Sequence, residues 1–301
     1  MMETTAISLA GVEQHRAHFR LGPIDLDIPE GYVTAIIGPN GSGKSSTFRL
    51  LLDLSKPDAG QMTMLGYPVG QGDDRPWKRQ IGYLPEESDY LDDSIRGAEK
   101  AAFIRKWYPE WDVNLYQDLL RRFEVDDSIK LGKMSKGMRR KFELALVIAH
   151  KPKLLLLDEP SSGLDPIAWR SMIDILHRYM EPGDRTILMA SHIIDEVRRL
   201  ADYIVFMAKG QILGKYEKDE LFEQWQVLYV PAVNDSDRGK LLAMPGVIEV
   251  ELAGVGMYRV VTEHAPQTEE ALQAAQFSIG SRQALQLDEI LQALMQRGVY
   301  A

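Results

Sequence analysis

A glycine-rich segment constrains this chain more than any other feature of its sequence. Residues 38–45 read GPNGSGKS and fit the phosphate-binding pattern G-x-x-x-x-G-K-(S/T). Residues 33–37 suit a buried strand, and residues 45–52 begin a predicted helix. A glycine-rich turn between a strand and a helix N-terminus directs backbone N–H groups at an anion, so the segment predicts a phosphate site. The residues assigned to this site are Pro39, Asn40, Gly41, Ser42, Gly43, Lys44, Ser45 and Ser46.

Two carboxylates follow a second apolar strand. Residues 154–157 are four leucines, and Asp158 and Glu159 come directly after them. A buried strand that ends at Asp158 places this side chain at the carboxyl edge of a sheet, where α/β proteins bind ligands. Asp158 is therefore predicted to ligate Mg²⁺ together with Ser45, and Glu159 to accept a proton from an attacking water. Alone, the Asp-Glu pair also fits capping of the next turn; beside the phosphate loop, whose Lys44 is expected to reach the phosphates, it favours a nucleotide site.

The bulk composition limits the class of protein. The chain has 301 residues, 45% of them hydrophobic, a formal net charge of −9 and no cysteine. The acidic balance argues against a general nucleic-acid surface, although a basic run at residues 130–141 leaves a local patch open. Without cysteine, disulfides and thiolate metal sites are impossible, and a reducing compartment is expected. No apolar run approaches the ~18–20 residues that a bilayer requires, and no secretory signal is expected.

The order of predicted elements divides the chain into two domains. Strands alternate with helices over residues 1–222, which predicts a mainly parallel sheet with short antiparallel strands before it. Apolar residues at helical spacing over about 88–140 predict an inserted helical block. Residues 226–301 restart in a βαββαβ-like order, which predicts a small α+β domain with a ferredoxin-like arrangement as one option. A dimerisation or regulatory role and a role as a stabilising appendage are both open for this domain.

Three further motifs complete a recognisable series. Residues 134–138 read MSKGM and precede basic residues, residues 161–166 read SSGLDP, and His192 follows a predicted strand. Together with the glycine-rich segment and the Asp-Glu pair, these make five motifs whose order along the chain resembles that of the nucleotide-binding subunits of ABC transporters. In that family, the three motifs named here are the signature motif, the D-loop and the switch histidine. The resemblance covers about residues 1–222. It implies a P-loop NTPase cassette that binds ATP and Mg²⁺ and hydrolyses ATP.

The resemblance also assigns roles to single residues. His192 is implied to contact the γ-phosphate and the attacking water. Ser135 and Gly137 are implied to contact the nucleotide of an opposite subunit in a head-to-tail dimer, formed by two identical or two different chains. The nucleotide-binding set implied by these motifs also includes Lys136, Met138 and Asp165.

Three positions depart from the family's pattern. Glu86 stands where the family has Gln in the loop before the helical block; it is implied to ligate Mg²⁺ directly or through water. Lys136 replaces the first glycine of the signature, and it either faces the partner's nucleotide or is a solvated lysine. An upstream aromatic residue for stacking on adenine is not evident. Arg16 aligns at that position, where its planar guanidinium either stacks on the base or is simply exposed.

The resemblance further implies a membrane partner. The amino-acid sequence at residues 21–26 and 111–112 is similar to that of the YtrB-like group, and the signature motif resembles that of bacitracin-resistance exporters. The helical block is implied to meet a membrane permease subunit, so that the chain would be cytoplasmic and peripheral on the inner face of the cell membrane. We expect the ATPase subunit of a bacterial exporter-type system, with no nucleic-acid partner. The alternative is a soluble ABC ATPase acting on the ribosome or DNA, which the net charge disfavours.

Overall fold

The chain divides into two units, residues 1–215 and residues 216–301. The computed structural model describes residues 4–72, 75–88, 90–231, 237–254 and 256–297. The division falls slightly before the expected boundary at 222–226, because the helix Lys218–Gln224 contacts the helix Ala265–Ala274 of the second unit.

Strands of the first unit form two sheets. They are β1 (Thr5–Arg16), β2 (Phe19–Pro29), β3 (Val33–Ile37), β4 (Ala59–Met64), β5 (Tyr67–Pro68), β6 (Ile81–Leu84), β7 (Leu154–Asp158), β8 (Thr186–Ser191), β9 (Tyr203–Ala208) and β10 (Gln211–Glu217). One sheet has the strand order β2-β1-β4-β5, and the other has the order β10-β9-β3-β8-β7-β6.

The larger sheet is the core of the first unit. β3 pairs in parallel with β8 and β9, and β7 pairs in parallel with β6 and β8. Every residue of β3, β7 and β8 is buried, which is typical of parallel strands covered on both faces. Ile37 lies beside Ser191, and Asp158 lies beside Ala190. The last residues of the three strands therefore meet at one edge of the sheet.

The smaller sheet is antiparallel and begins with a tight hairpin. In β2, buried Ile24, Leu26 and Ile28 alternate with exposed aspartates, the pattern of a strand with one solvated face. Arg16 pairs with Phe19 across a two-residue turn. The hairpin brings both side chains to the same end of the sheet.

Helices cover the larger sheet and form the inserted block. They are α1 (Lys44–Leu51), α2 (Arg75–Lys78), α3 (Gly97–Ile104), α4 (Val113–Phe123), α5 (Lys136–Ala149), α6 (Pro166–Met180) and α7 (Ile194–Leu200). The block contains α3, α4 and the start of α5, and the expected limit at residue 140 lies inside α5. Tyr116, Leu119, Leu120 and Phe123 form the buried stripe of α4, which contacts α5. Within the described residues, no helix is both long and apolar enough to span a membrane.

The second unit is a small α+β structure. Its elements are α8 (Lys218–Gln224), β11 (Gln226–Pro231), α9 (Asp237–Leu242), β12 (Val247–Leu252), β13 (Met257–Thr262), α10 (Ala265–Ala274), β14 (Ser281–Ala284) and α11 (Leu287–Arg297). The strand order is β12-β13-β11-β14, and all the recorded pairings are antiparallel. Leu228, Val260 and Leu272 are fully buried in its core. Residues 298–301 of the expected domain lie outside the described residues.

Truncation tests whether the first unit folds by itself. A chain that ends at Glu217 keeps β10 and both sheets of that unit, so it should fold and bind nucleotide. A ligand that binds only the folded state raises the melting temperature. Thermal melts of the truncated and full chains, with and without Mg-ATP, should therefore show a rise in both. A rise in the full chain alone would mean that the second unit is needed to fold the first.

Candidate functional site

The glycine-rich segment forms the turn between β3 and α1. Gly41 and Gly43 have positive φ values of 78° and 114°, which glycine adopts without steric cost. A Cβ on Gly43 would lie 2.7 Å from Leu21 Cδ1, too close for any other residue without a shift. α1 begins at Lys44, so the unpaired N–H groups of its first turn border the loop. The segment therefore has the geometry expected of an anion site.

A cavity of about 450 Å³ lies over this loop. Its size is within the range of small-molecule sites in proteins. The lining residues are Asn40 to Ser46, Arg16, Phe19, Glu86 and Glu159. The fold thus brings most of the predicted phosphate-binding residues together with two carboxylates and the β1–β2 hairpin. Pro39 belongs to the loop but is not part of the cavity wall.

Lys44 is buried at the base of the cavity, with only 6% of its surface exposed. Its Nζ donates a hydrogen bond to the carbonyl oxygen of Gly38 at 2.8 Å. The same Nζ lies 3.8 Å from Oε1 of Glu159. The ammonium group is therefore held between the loop and a buried carboxylate, where it can meet an incoming phosphate.

Asp158 ends β7 and is 2% exposed. Burial is the largest cause that raises the pKa of Asp158, to about 6; the hydrogen bond with Ser45 opposes the rise, while Glu86 and Glu159 add to it. Oδ1 of Asp158 has no hydrogen-bond partner among the described residues. A buried oxygen without a partner, close to further carboxylates, is an environment that a bound cation would stabilise.

The donor set fits Mg²⁺ bound together with a phosphate. Mg²⁺ is usually held by one or two carboxylates plus phosphate oxygens and water. Across the described ranges, no group of three or more His, Asp or Glu side chains is placed to hold a metal ion. Asp158 and Ser45 adjoin each other, and Glu86 lines the same cavity. These residues suit a cation that arrives with a nucleotide rather than one caged by protein alone.

The Glu159 carboxylate lies between the ammonium group of Lys44 and the imidazole of His192. Its backbone has φ 45°, the left-handed region that residues other than glycine rarely enter, and its N–H donates to the carbonyl oxygen of Ala190 at 2.9 Å. Oε2 lies 2.7 Å from Nδ1 of His192. The Glu159 side chain is 8% exposed, whereas that of His192 is 60% exposed. The structure thus joins the two predicted catalytic residues directly, although His192 is not part of the cavity wall.

Glu196 supports this corner and was not predicted from the sequence. Its carboxylate accepts hydrogen bonds from Trp169 Nε1 at 2.8 Å and from Ser191 Oγ at 2.6 Å. Burial raises the pKa of Glu196. The carboxylate ties α6 to the end of β8, from which His192 follows. Its position four residues after His192, among charged residues of a helix, offered no distinguishing signal.

Phe19 is a second residue that the sequence analysis missed. It is half-buried on the cavity wall, whereas Arg16 is exposed and donates to the side chain of Gln14 at 3.2 Å. A Cβ on Gly43 would lie 3.2 Å from Cζ of Phe19, so the ring lies against the phosphate loop. The signal was available in the tight turn that pairs Phe19 with Arg16. The hairpin therefore places an aromatic side chain on the cavity wall.

The signature residues lie away from this cavity. Ser135 caps α5, because its Oγ accepts a hydrogen bond from the N–H of Met138 at 3.1 Å. Nζ of Lys136 donates to Oγ of Ser162 at 3.1 Å, within the same chain. None of residues 135–138, all of which are described, lines the cavity over the phosphate loop. A single chain does not bring the two halves of the predicted nucleotide site together.

Asp165 acts as a helix cap in this structure. Its Oδ1 accepts hydrogen bonds from the N–H groups of Ile167 and Ala168, each at 2.9 Å. These bonds lower the pKa of Asp165. Asp165 does not line the cavity, although it was predicted to bind nucleotide.

Comparisons with curated proteins agree with the motif series. The ABC transporter family model matches residues 21–162. The Nod factor export ATP-binding protein I of Rhizobium sp. (strain N33) is 30% identical over 266 residues, covering 85% of this chain and 86% of that protein. YtrB of Bacillus subtilis, an ABC transporter ATP-binding protein, is 26% identical, covering 78% of this chain and 79% of that protein. The bacitracin transport ATP-binding protein BcrA of Bacillus licheniformis is 29% identical, covering 66% of this chain and 65% of that protein. The resemblance stated from the motifs is confirmed.

Solved structures agree with the fold. An ATP-binding subunit of an ABC transporter superposes with a TM-score of 0.66 and 26% identity, covering 73% of this chain and 93% of that chain. A dimeric bacterial ABC transporter cassette gives a TM-score of 0.61 at 20% identity, covering 70% of this chain and 98% of that chain, and so shows the fold alone. The expected P-loop cassette fold is confirmed. From the motif series, the fold and the extent of its relatives, this chain belongs to the ABC transporter ATP-binding proteins, which are ATPases coupled to transport.

Proposed function

We propose that this chain powers a bacterial exporter-type transporter by hydrolysing Mg-ATP in the cavity over the phosphate loop. The observation that carries this proposal is the position of the Glu159 carboxylate, 3.8 Å from Lys44 and 2.7 Å from His192. Export is supported by relatives named for Nod factor export and bacitracin transport.

The phosphate loop, Lys44 and the start of α1 would bind the phosphates of ATP. Lys44 and the N–H groups at the start of α1 hold the phosphates, and the Gly38 carbonyl releases its bond to Lys44 when they arrive. Ser45, Asp158 and Glu86 are the residues that would hold Mg²⁺. When bound, this ion neutralises negative charge on the phosphate oxygens.

Glu159 supplies the general base. The water oxygen forms a bond to the γ-phosphorus as the bond between that phosphorus and the ADP oxygen breaks, and the water proton passes to Glu159. His192 holds Oε2 of this carboxylate through Nδ1. The resemblance to the family assigns His192 a contact with the γ-phosphate as well, although His192 does not line the cavity of this chain.

A second copy of a nucleotide-binding chain completes the site. Ser135, Lys136, Gly137 and Met138 do not line the cavity of their own chain. Because the first N–H groups of an α-helix have no carbonyl partner within the helix, the start of α5 suits the γ-phosphate of a nucleotide held by another subunit. We infer a head-to-tail dimer of identical or different chains, in which Asp165 lies near the shared interface.

A groove on the first unit supports docking of a membrane permease. It encloses about 400 Å³, and its wall includes Leu54 and the stacked rings of Tyr108 and His150, whose centroids are 3.9 Å apart. Burial lowers the pKa of His150 to about 4, so the imidazole is neutral. Phe103 and Trp107 are 59% and 61% exposed, and neighbouring exposed apolar side chains mark protein interfaces. A permease held here places this chain on the cytoplasmic face of the membrane.

Substitution of the base tests the proposed function. Glu159→Gln keeps the shape of the side chain but removes the proton acceptor, so hydrolysis should fall by about 10²–10⁴-fold. ATP binding should survive, because Lys44 and the loop are unchanged. Phosphate release and equilibrium nucleotide binding, measured on the same preparation, separate the two effects.

Asp158→Asn is the matched control for this substitution. It should reduce the strengthening of ATP binding by Mg²⁺ and leave binding in EDTA unchanged, because only the cation ligand is altered. If Glu159→Gln hydrolyses ATP at the parent rate, Glu159 is not the base and the proposed mechanism is wrong. If Asp158→Asn keeps the parent response to Mg²⁺, Asp158 does not ligate the cation.

Substitutions in the hairpin test what contacts adenine. Stacking of a base on an aromatic ring is worth about 1–3 kcal/mol, so Phe19→Ala should weaken ATP binding by that amount and Phe19→Tyr should retain it. Arg16→Ala should have a smaller effect, since Arg16 is exposed. Titrations with ATP and with inorganic triphosphate distinguish base contacts from phosphate contacts. Equal ATP affinity of Phe19→Ala and the parent would exclude Phe19 from the adenine site.

A further inference from the structure

Arg140 is a buried cation on α5 whose role the motif series does not account for. It is 3% exposed, and burial lowers the pKa of its guanidinium. Its recorded hydrogen bonds all end on backbone carbonyl oxygens rather than on carboxylates. A buried cation is expensive unless its donors are satisfied, so these carbonyls are essential partners.

Three of these bonds hold the segment that carries the catalytic carboxylates. Nε donates to the carbonyl of Pro160 at 2.9 Å. One terminal nitrogen donates to the carbonyls of Asp158 at 2.6 Å and Glu159 at 2.8 Å. The planar fork of a guanidinium can reach several acceptors in fixed directions at once. Arg140 therefore fixes the backbone of the turn in which Glu159 adopts its left-handed conformation.

The fourth bond holds a different loop. The remaining terminal nitrogen donates to the carbonyl of Pro85, directly before Glu86. Arg140 also lies in α5 itself, five residues after Ser135, which caps the start of that helix. One side chain thus connects the start of α5, here called the signature helix, with the loop that carries Glu86 and with the turn after β7.

We propose that Arg140 is a positioning residue that holds Glu159 and Glu86 in register with the signature helix. This inference rests on the proposed ATPase function of the site. Arg140 does not line the cavity over the phosphate loop; it acts through the backbone of residues 85 and 158–160. Because each chain's signature helix faces the nucleotide of the other subunit in the proposed dimer, a shift of α5 would be transmitted by Arg140 to the chain's own catalytic turn.

The test compares Arg140→Met with Arg140→Lys. Met has a similar unbranched stem without donors, and Lys keeps the charge but has one nitrogen in place of the fork. Arg140→Met should lower kcat by about 10²-fold, the typical cost of a small misplacement of catalytic groups. Nucleotide affinity measured in EDTA should stay at the parent value, because the loop between β3 and α1 is not anchored by Arg140. Arg140→Lys should give an intermediate kcat.

Amide hydrogen exchange provides a readout independent of turnover. In Arg140→Met, exchange should become faster in peptides spanning residues 84–88 and 157–163, and stay unchanged in a peptide spanning residues 40–48. Arg185→Met is the matched control: Arg185 also donates to a backbone carbonyl, that of Tyr179 at 3.1 Å, but directly precedes β8, at the opposite end of that strand from the site. It should change neither kcat nor these exchange rates.

The outcomes separate this inference from the proposed function. If the parent chain does not hydrolyse ATP, the proposed function fails, and the exchange pattern still decides whether Arg140 holds the two loops. If the parent is active and Arg140→Met keeps both its kcat and its exchange rates, the inference is wrong. It is also wrong if Arg140→Met speeds exchange in all peptides equally, since Arg140 would then act on general stability. If Arg140→Met does not fold, an Arg140→Lys chain with parent kcat and parent exchange overturns the inference.

Discussion

The parallel pairing of β3, β8 and β7 is the constraint on which the site depends. Hydrogen bonds along these strands place Ile37 beside Ser191 and Asp158 beside Ala190. The phosphate loop, the carboxylates and the histidine therefore leave the sheet at one edge, although they are far apart in the sequence. Every residue of the three strands is buried, because the sheet is covered on both faces. The positions at which β3, β7 and β8 end therefore bring the phosphate loop, the two carboxylates and His192 together.

Contiguous motifs were predictable from the sequence, whereas contacts across the fold were not. Lys44 follows a predicted strand and a glycine-rich turn, and Asp158 follows a run of leucines that predicts a buried strand. The left-handed backbone of Glu159 depends on its tertiary surroundings rather than on its residue type. Phe19 reaches the cavity through the hairpin register, and a shift of one residue would turn it to the other face. Arg140 bonds to Pro85, 55 positions away, and the basic run around it looks like an ordinary solvated surface.

The site is electrostatically and geometrically incomplete in one chain. Asp158 keeps a buried oxygen without a partner among the described residues, and Lys44 is held by a backbone carbonyl that a phosphate would displace. The start of α5, capped by Ser135, does not line the cavity of its own chain. In the proposed dimer, a nucleotide with its cation would occupy the first half of the site, and a second subunit would supply the other half. In this account, Arg140 joins the two halves within each chain.

Complementation between two defective chains tests this account most directly. Glu159→Gln removes the base, and Ser135→Asp keeps a good helix cap while placing negative charge against the partner's γ-phosphate. Each variant alone should hydrolyse ATP very slowly. Mixed in equal amounts, they should regain phosphate release, because the hybrid dimer combines an intact base from one chain with an intact signature from the other. A mixture no more active than its components, with both variants still folded and binding ATP, would contradict a site shared between two copies of this chain.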